Sequence, residues 1–109
     1  MNKEHILSCN DVKIEKVNVP EWNCDIFVRS ISAKTQDEWA ESVRQKKTSN
    51  FQASFLVLCI CDESGRLVFD KSDADRLGEK SASVLSRIFD VASKINCLGT
   101  DDTKELEKN

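Results

Sequence analysis

Histidine, proline and glycine are nearly missing from this chain: among 109 residues there are one histidine, one proline and three glycines. A Ser-His or Cys-His nucleophile needs a positioned imidazole, and the single His5 sits in a polar stretch at the start of the chain. With so few glycines there is no glycine-rich loop to cradle a phosphate. No apolar run approaches the ~20 residues of a membrane-spanning helix. "ILSC" at 6–9 has the form of a lipoprotein cleavage box, yet no apolar stretch precedes it and Glu4 and His5 crowd its front. It does not read as a signal peptide. A surplus of positive charge is missing too. The formal charge is −3 and the pI near 5.2, which argues against nucleic acid as the main partner, because phosphate binding needs a basic face.

Five cysteines are present, Cys9, Cys24, Cys59, Cys61 and Cys97. Their odd number, with no export signal, points to free thiols in a reducing compartment. Cys59, Cys61 and Cys97 have aliphatic neighbours, where a thiol behaves as a small hydrophobe. A zinc site built from His5, Cys9, Cys24 and one of Cys59 or Cys61 is the sharper alternative. Structural zinc draws on close CxxC-type pairs, and the chain has none. As a redox pair Cys59 and Cys61 are badly placed, since residues two apart diverge on a helix and face opposite sides of a strand. No catalytic, cofactor or metal residue is assigned.

What is there is one ordinary soluble domain, 39% hydrophobic and 32% charged, long enough to bury roughly two-thirds of its unfolded surface. Residues 1–11 are polar and read as a flexible N-terminus. "VKIEKVNV" at 12–19 alternates, with a break at Glu15 and Lys16. After Pro20, "DIFVRSI" at 25–31 is rich in branched and aromatic residues, so the two runs read as a β-hairpin. A hairpin alone is marginal, and its partner is the helical remainder. Ser32 or Thr35 opens a helix reaching Lys47, with acidic residues leading and basic ones trailing. Its apolar stripe, Trp39, Ala40 and Val43, is short enough to predict either one narrow buried face or a meeting with a partner.

Ser49 or Asn50 can cap "FQASFLVLCIC". From Phe55 to Cys61 that run is continuously apolar, so periodicity cannot separate helix from strand. The spacing of Phe51, Phe55 and Leu58 favours helix; the competing reading is a hairpin of FLVLCIC against RLVF, closed by DESG. "DADRLG" at 73–78 resembles the first half of a calcium loop. It fails where oxygen ligands are required, at Leu77 and Val84. Ser72 capping a one-turn helix, with Asp75 reaching back and a left-handed Gly78 ending it, accounts for the same residues. Ser81 caps the last helix, in which Val84, Leu85, Ile88, Phe89, Ala92 and Ile95 keep three-four spacing and Gly99 closes. Residues 100–109 read as a disordered charged tail. The expected architecture is α+β: an N-terminal β-hairpin packed on a small, mainly helical domain spanning 12–99.

The succession "VPEW…DIFVRSISAKTQDEWAE", an apolar segment, then "CDESGRLVFDKSDADRLGEKSASVLSRIFDVASKIN" resembles the tail assembly chaperones of long-tailed bacteriophages and prophages. The likeness covers residues 12–99. It implies a non-enzymatic protein of the host bacterial cytoplasm, no part of the finished virion, that binds the tape measure protein while tail-tube subunits polymerise. It also implies homo-oligomers and a longer frameshifted product that recruits tube protein. Neither nucleic acid nor membrane is an expected partner. Aromatic side chains cover a large area with few rotamers to freeze, so Trp22, Phe27, Trp39 and Phe69 are the candidate partner-binding residues. Readings from other classes are a cytosolic protein-binding regulator of phage or bacterial origin (antitoxin-like) and a thiol- or zinc-handling protein.

Overall fold

A computed structural model describes residues 1–47 and 50–98. The elements run α1 (Lys3–Ser8), β1 (Ile14–Val19), β2 (Cys24–Arg29), α2 (Ala33–Arg44), α3 (Phe51–Leu56), β3 (Ile60–Cys61), α4 (Ala74–Leu77) and α5 (Ala82–Ile95). The fold is α+β, as the residue patterns led one to expect. β1 and β2 form the antiparallel hairpin, Ile14 opposite Arg29 through Val19 opposite Cys24, and β3 extends the sheet beyond β2. Pro20–Trp22 make a single 3-10 turn, and Asn23 reverses the chain in the left-handed conformation. α5 lies against β1 and β2 on one face of the sheet, and α3 bridges α5 to α2 and α4. Val17, Val19, Val28, Phe55, Leu56 and Ile88 are among the side chains buried in this layer.

The strand β1 has no break. Its odd-numbered residues Val17 and Val19 are buried and the even-numbered ones are exposed, so Ile14 points away from the core that Val17 enters. The apparent interruption at Glu15 and Lys16 is a change of face, which period-2 alternation makes unavoidable when apolar residues switch parity.

The ambiguous run 51–61 divides. Phe51–Leu56 is helical, residues 57–59 turn, and Ile60–Cys61 join the sheet. The hairpin reading holds for its last part: Cys61 bridges Leu67, and the Val68 amide donates to the Ile60 carbonyl at 3.1 Å. A helix of six residues is too short to persist without tertiary support, and the sheet captures the following residues instead.

Three punctuation marks differ from expectation. Ser72 caps nothing: Asp70 caps a 3-10 turn, Lys71–Asp73, that leads into α4, its carboxylate accepting from the Ser72 amide at 2.8 Å while the Asp73 carboxylate accepts from the Asp70 amide at 3.0 Å. Gly78 is right-handed, with φ −62°. Its lack of a side chain matters for a different reason, since a Cβ there would lie 3.0 Å from the Asn50 side chain. Cys97 (φ 56°) makes the left-handed turn after α5. Residues 1–11 contain the helix α1, which buries none of its side chains. Ser49, Gly99 and the charged tail at 100–109 lie outside the described residues.

Asn96 closes the domain. Its side-chain oxygen accepts from the Ile31 amide at 2.8 Å, and its amide donates to the Ala92 carbonyl at 2.9 Å and the Arg29 carbonyl at 3.4 Å. One side chain therefore caps α5 and fixes the chain as it leaves β2. Asn96→Ala strands the Ile31 amide, and such an orphan costs about 1–3 kcal/mol. Urea unfolding should show a loss in that range; a change below measurement error would remove Asn96 from this role.

The thiols separate into two groups: Cys59 and Cys61 are buried, whereas Cys9, Cys24 and Cys97 are exposed and all five are free. Burial pushes the Cys59 thiol from 9.0 up to about 12. A thiol whose folded pKa is raised contributes stability below its unfolded value and loses it as pH climbs toward the folded one. Stability should fall between pH 9.0 and about 12. In native protein a thiol reagent should modify Cys9, Cys24 and Cys97 promptly and the buried pair only on unfolding. Cys59→Ala should flatten the alkaline loss; an unchanged slope would exclude Cys59 as its cause.

Candidate partner-binding surface

The four aromatic candidates do not come together. Trp39 is 5% exposed. Its ring sits 4.7 Å from Phe55 and 5.3 Å from Phe51, centroid to centroid, and both phenylalanines reach Phe89 on α5. Its indole N–H donates to Ser54 Oγ at 2.9 Å, and that hydroxyl donates in turn to the Phe51 carbonyl at 2.8 Å. Of the two readings of this polar helix, the geometry shows the narrow buried face. One stripe of Trp39, Ala40 and Val43 is enough, because α3 supplies a facing aromatic pair.

Trp22 is half-buried at the hairpin tip and packs against the core. Beside it Glu21 makes a two-pronged ion pair with Arg87 of α5, at 3.0 and 2.7 Å. That hydrogen bonding holds the Glu21 carboxyl down at about 2. Phe69 is half-buried and also leans on the core, after the bridge at Leu67 and before the Asp70 cap. Phe27 differs from the other three. It lies on the face of the sheet opposite α5, with Lys16 and Cys61 as its cross-strand neighbours.

That outer face carries an apolar row that the aromatic criterion missed. Phe27, Cys61 and Leu67 follow one another across the strands. Ile14 stands two residues from Lys16 on the same side; Ile14 is 40% exposed, Leu67 38% and the adjoining Val68 58%. Cys61 lies beneath them, 2% exposed. Parity in "VKIEKVNV" is the signal that finds Ile14: it and Val17 cannot share a face. Leu67 and Val68 give no such signal, since a three-residue apolar run reads equally well as core.

A cleft of about 340 Å³ opens between α2, α3 and α4. Trp39, Val57 and Leu58 contribute its apolar surface, while Lys47, Lys71 and Asp75 contribute charges of both signs. Among the described residues no three of His, Cys, Asp and Glu gather as metal ligands, and no helix is long and apolar enough to cross a membrane. The arrangement offers contact area rather than reactive groups.

The sequence matches a family model described as phage tail assembly chaperone over residues 3–109. No curated protein is similar to the chain at a significant level. Among solved structures, that of the bacteriophage HK97 tail assembly chaperone is similar, with a TM-score of 0.62 and 22% identity. The likeness covers 84% of this chain and 90% of that one, and at this identity it speaks for the fold.

Burial separates the candidates by experiment. Trp39→Ala should cost about 3–5 kcal/mol, as deletion of a buried large aromatic does. Phe27→Ser, on the open face, should cost much less. Thermal or urea unfolding of the two variants checks this; equal losses would mean that Phe27 is core after all.

Proposed function

The chain belongs to the phage tail assembly chaperone family, and on that premise we propose that it binds the tape measure protein during tail assembly. It does so as a non-enzymatic, non-virion factor in the host bacterial cytoplasm. The family match over residues 3–109 carries this reading. The chemistry of the surface supports it. A long helical client with an apolar stripe aggregates unless something covers that stripe. An open apolar sheet face rimmed by charge is suited to cover it reversibly, because broad contacts without deep anchors give modest affinity.

Tail tube protein is the second proposed partner, reached through a longer frameshifted product. Self-association belongs to the same reading, since one client of this length needs many covering subunits. Of the aromatic candidates, Phe27 holds the best position for client contact, with Trp22 and Phe69 contributing only their exposed edges. Trp39 acts through the stability of the fold.

Co-expression tests the proposal. A tape measure fragment from the same phage or prophage should stay soluble and co-purify with this chain, and should precipitate without it. Light scattering at high micromolar concentration should report species larger than a monomer. A fragment equally soluble with and without the chain would overturn the client-binding reading.

A further inference from the structure

We propose that the outer face of the sheet docks an amphipathic helix carrying one carboxylate within its apolar stripe, and that Arg29 is the residue that selects it. The inference rests on the client-binding reading and adds to it the chemistry of the bound segment.

Arg29 stands opposite Ile14 and shares the outer face with Phe27. Its Nη1 donates to the Gly65 carbonyl at 2.7 Å, which points the guanidinium toward the 62–66 turn. The same turn receives Ile14, whose Cδ1 would lie 3.1 Å from a Cβ at Gly65. Arg29 Nε is buried without a hydrogen-bond partner. The cations Lys16 and Arg87 are matched by Asp25 and Glu21, whereas Arg29 has no acidic partner among the described residues. A guanidinium carries five donors in a planar fork. Here one Nη1 donor is engaged by a carbonyl and the Nε–H is enclosed, so a docked group meets the remaining Nη donors. Among the described residues the charge has no acidic partner beside the apolar row. A carboxylate answers it best, because charge-assisted, bidentate pairing is the strongest hydrogen bonding a guanidinium makes.

The shape of the face favours a helix. An extended segment would add at the edge of the sheet, where backbone groups are free, rather than on its face. The opposite face of this sheet already takes one helix, α5. From Phe27 through Cys61 to Leu67 the row spans two inter-strand spacings, about 10 Å. A helix covers that length in about seven residues, two turns. A segment with two or three apolar residues at three-four spacing and one Glu or Asp among them therefore matches both the row and Arg29.

The test uses the full chain and two labelled synthetic helices. They share a leucine stripe and differ at one position within it, Glu in one and Gln in the other. By fluorescence polarisation the Glu peptide should bind wild type about tenfold more tightly, as expected for one charge-assisted pair. Arg29→Gln should bind both alike, and Phe27→Ser should weaken both together. The preference should also fade as salt rises, a measurement on wild type that stands even if Arg29→Gln fails to fold.

Equal binding of the two peptides to wild type, or a preference that survives in Arg29→Gln, overturns the proposal. So does peptide binding that appears only after removal of residues 99–109, since the face would then belong to the chain's own tail. Multimers that dissociate in Phe27→Ser, with neither peptide bound by either protein, would assign the face to a second copy and also overturn it. The peptides contain no tape measure sequence. A failed co-expression with retained peptide selectivity therefore sinks the client reading alone.

Discussion

Everything in this domain is arranged around the side chain of Asn96. It stands at the end of α5 and holds the Ile31 amide and the Arg29 carbonyl, so the last helix and the chain leaving β2 share one hydrogen-bonding centre. A helix end leaves carbonyls unsatisfied, and a strand leaving a sheet leaves amides unsatisfied. One carboxamide can answer both, because it carries an acceptor and donors on neighbouring atoms. The consequence is directional. With α5 pinned at its C-terminus to β2, and by Arg87 to the hairpin tip at Glu21, it can cover one face of the sheet only. The other face is left open by construction.

Much of this was legible in the residues, and the gaps have physical causes. The final helix and the hairpin were clear because their apolar spacing is long and regular. The run from Phe51 to Cys61 was not, since from Phe55 onward it is buried on every side and has no polar residues to reveal its period. It holds a helix and a strand in succession, each too short to be recognised by length. Asp70 was overlooked as a cap in favour of Ser72. Both are good caps, and what decides is the reciprocal bond from Asp73, which depends on where the Leu67 bridge releases the chain.

The candidate site was less legible than the fold. Aromatic character was the criterion, and burial was what it could not see. Trp39 lies on a helix whose surface is nearly all polar, which left both a narrow buried face and a partner contact open. A tryptophan needs only a facing aromatic pair and one acceptor for its N–H to be satisfied inside, and Phe51, Phe55 and Ser54 provide them. The chain holds seven aromatic residues, two tryptophans and five phenylalanines. Trp39, Phe51, Phe55 and Phe89 form one connected cluster, so the core takes most of them.

That allocation constrains how the protein can bind. A surface rich in tryptophan grips through a few deep anchors, and its complexes dissociate slowly. This domain has kept its largest side chains for its own stability, which a chain of this size needs because so much of its surface stays exposed. On the open sheet face what remains is Ile14, Phe27 and Leu67, contacts of similar modest size. None is deep enough to dominate, so under the proposed function affinity would come from repetition along a client rather than from any single subunit. If the protein holds a chain during assembly and then yields it, as proposed, such a surface suits the task, since shallow contacts can be displaced one at a time.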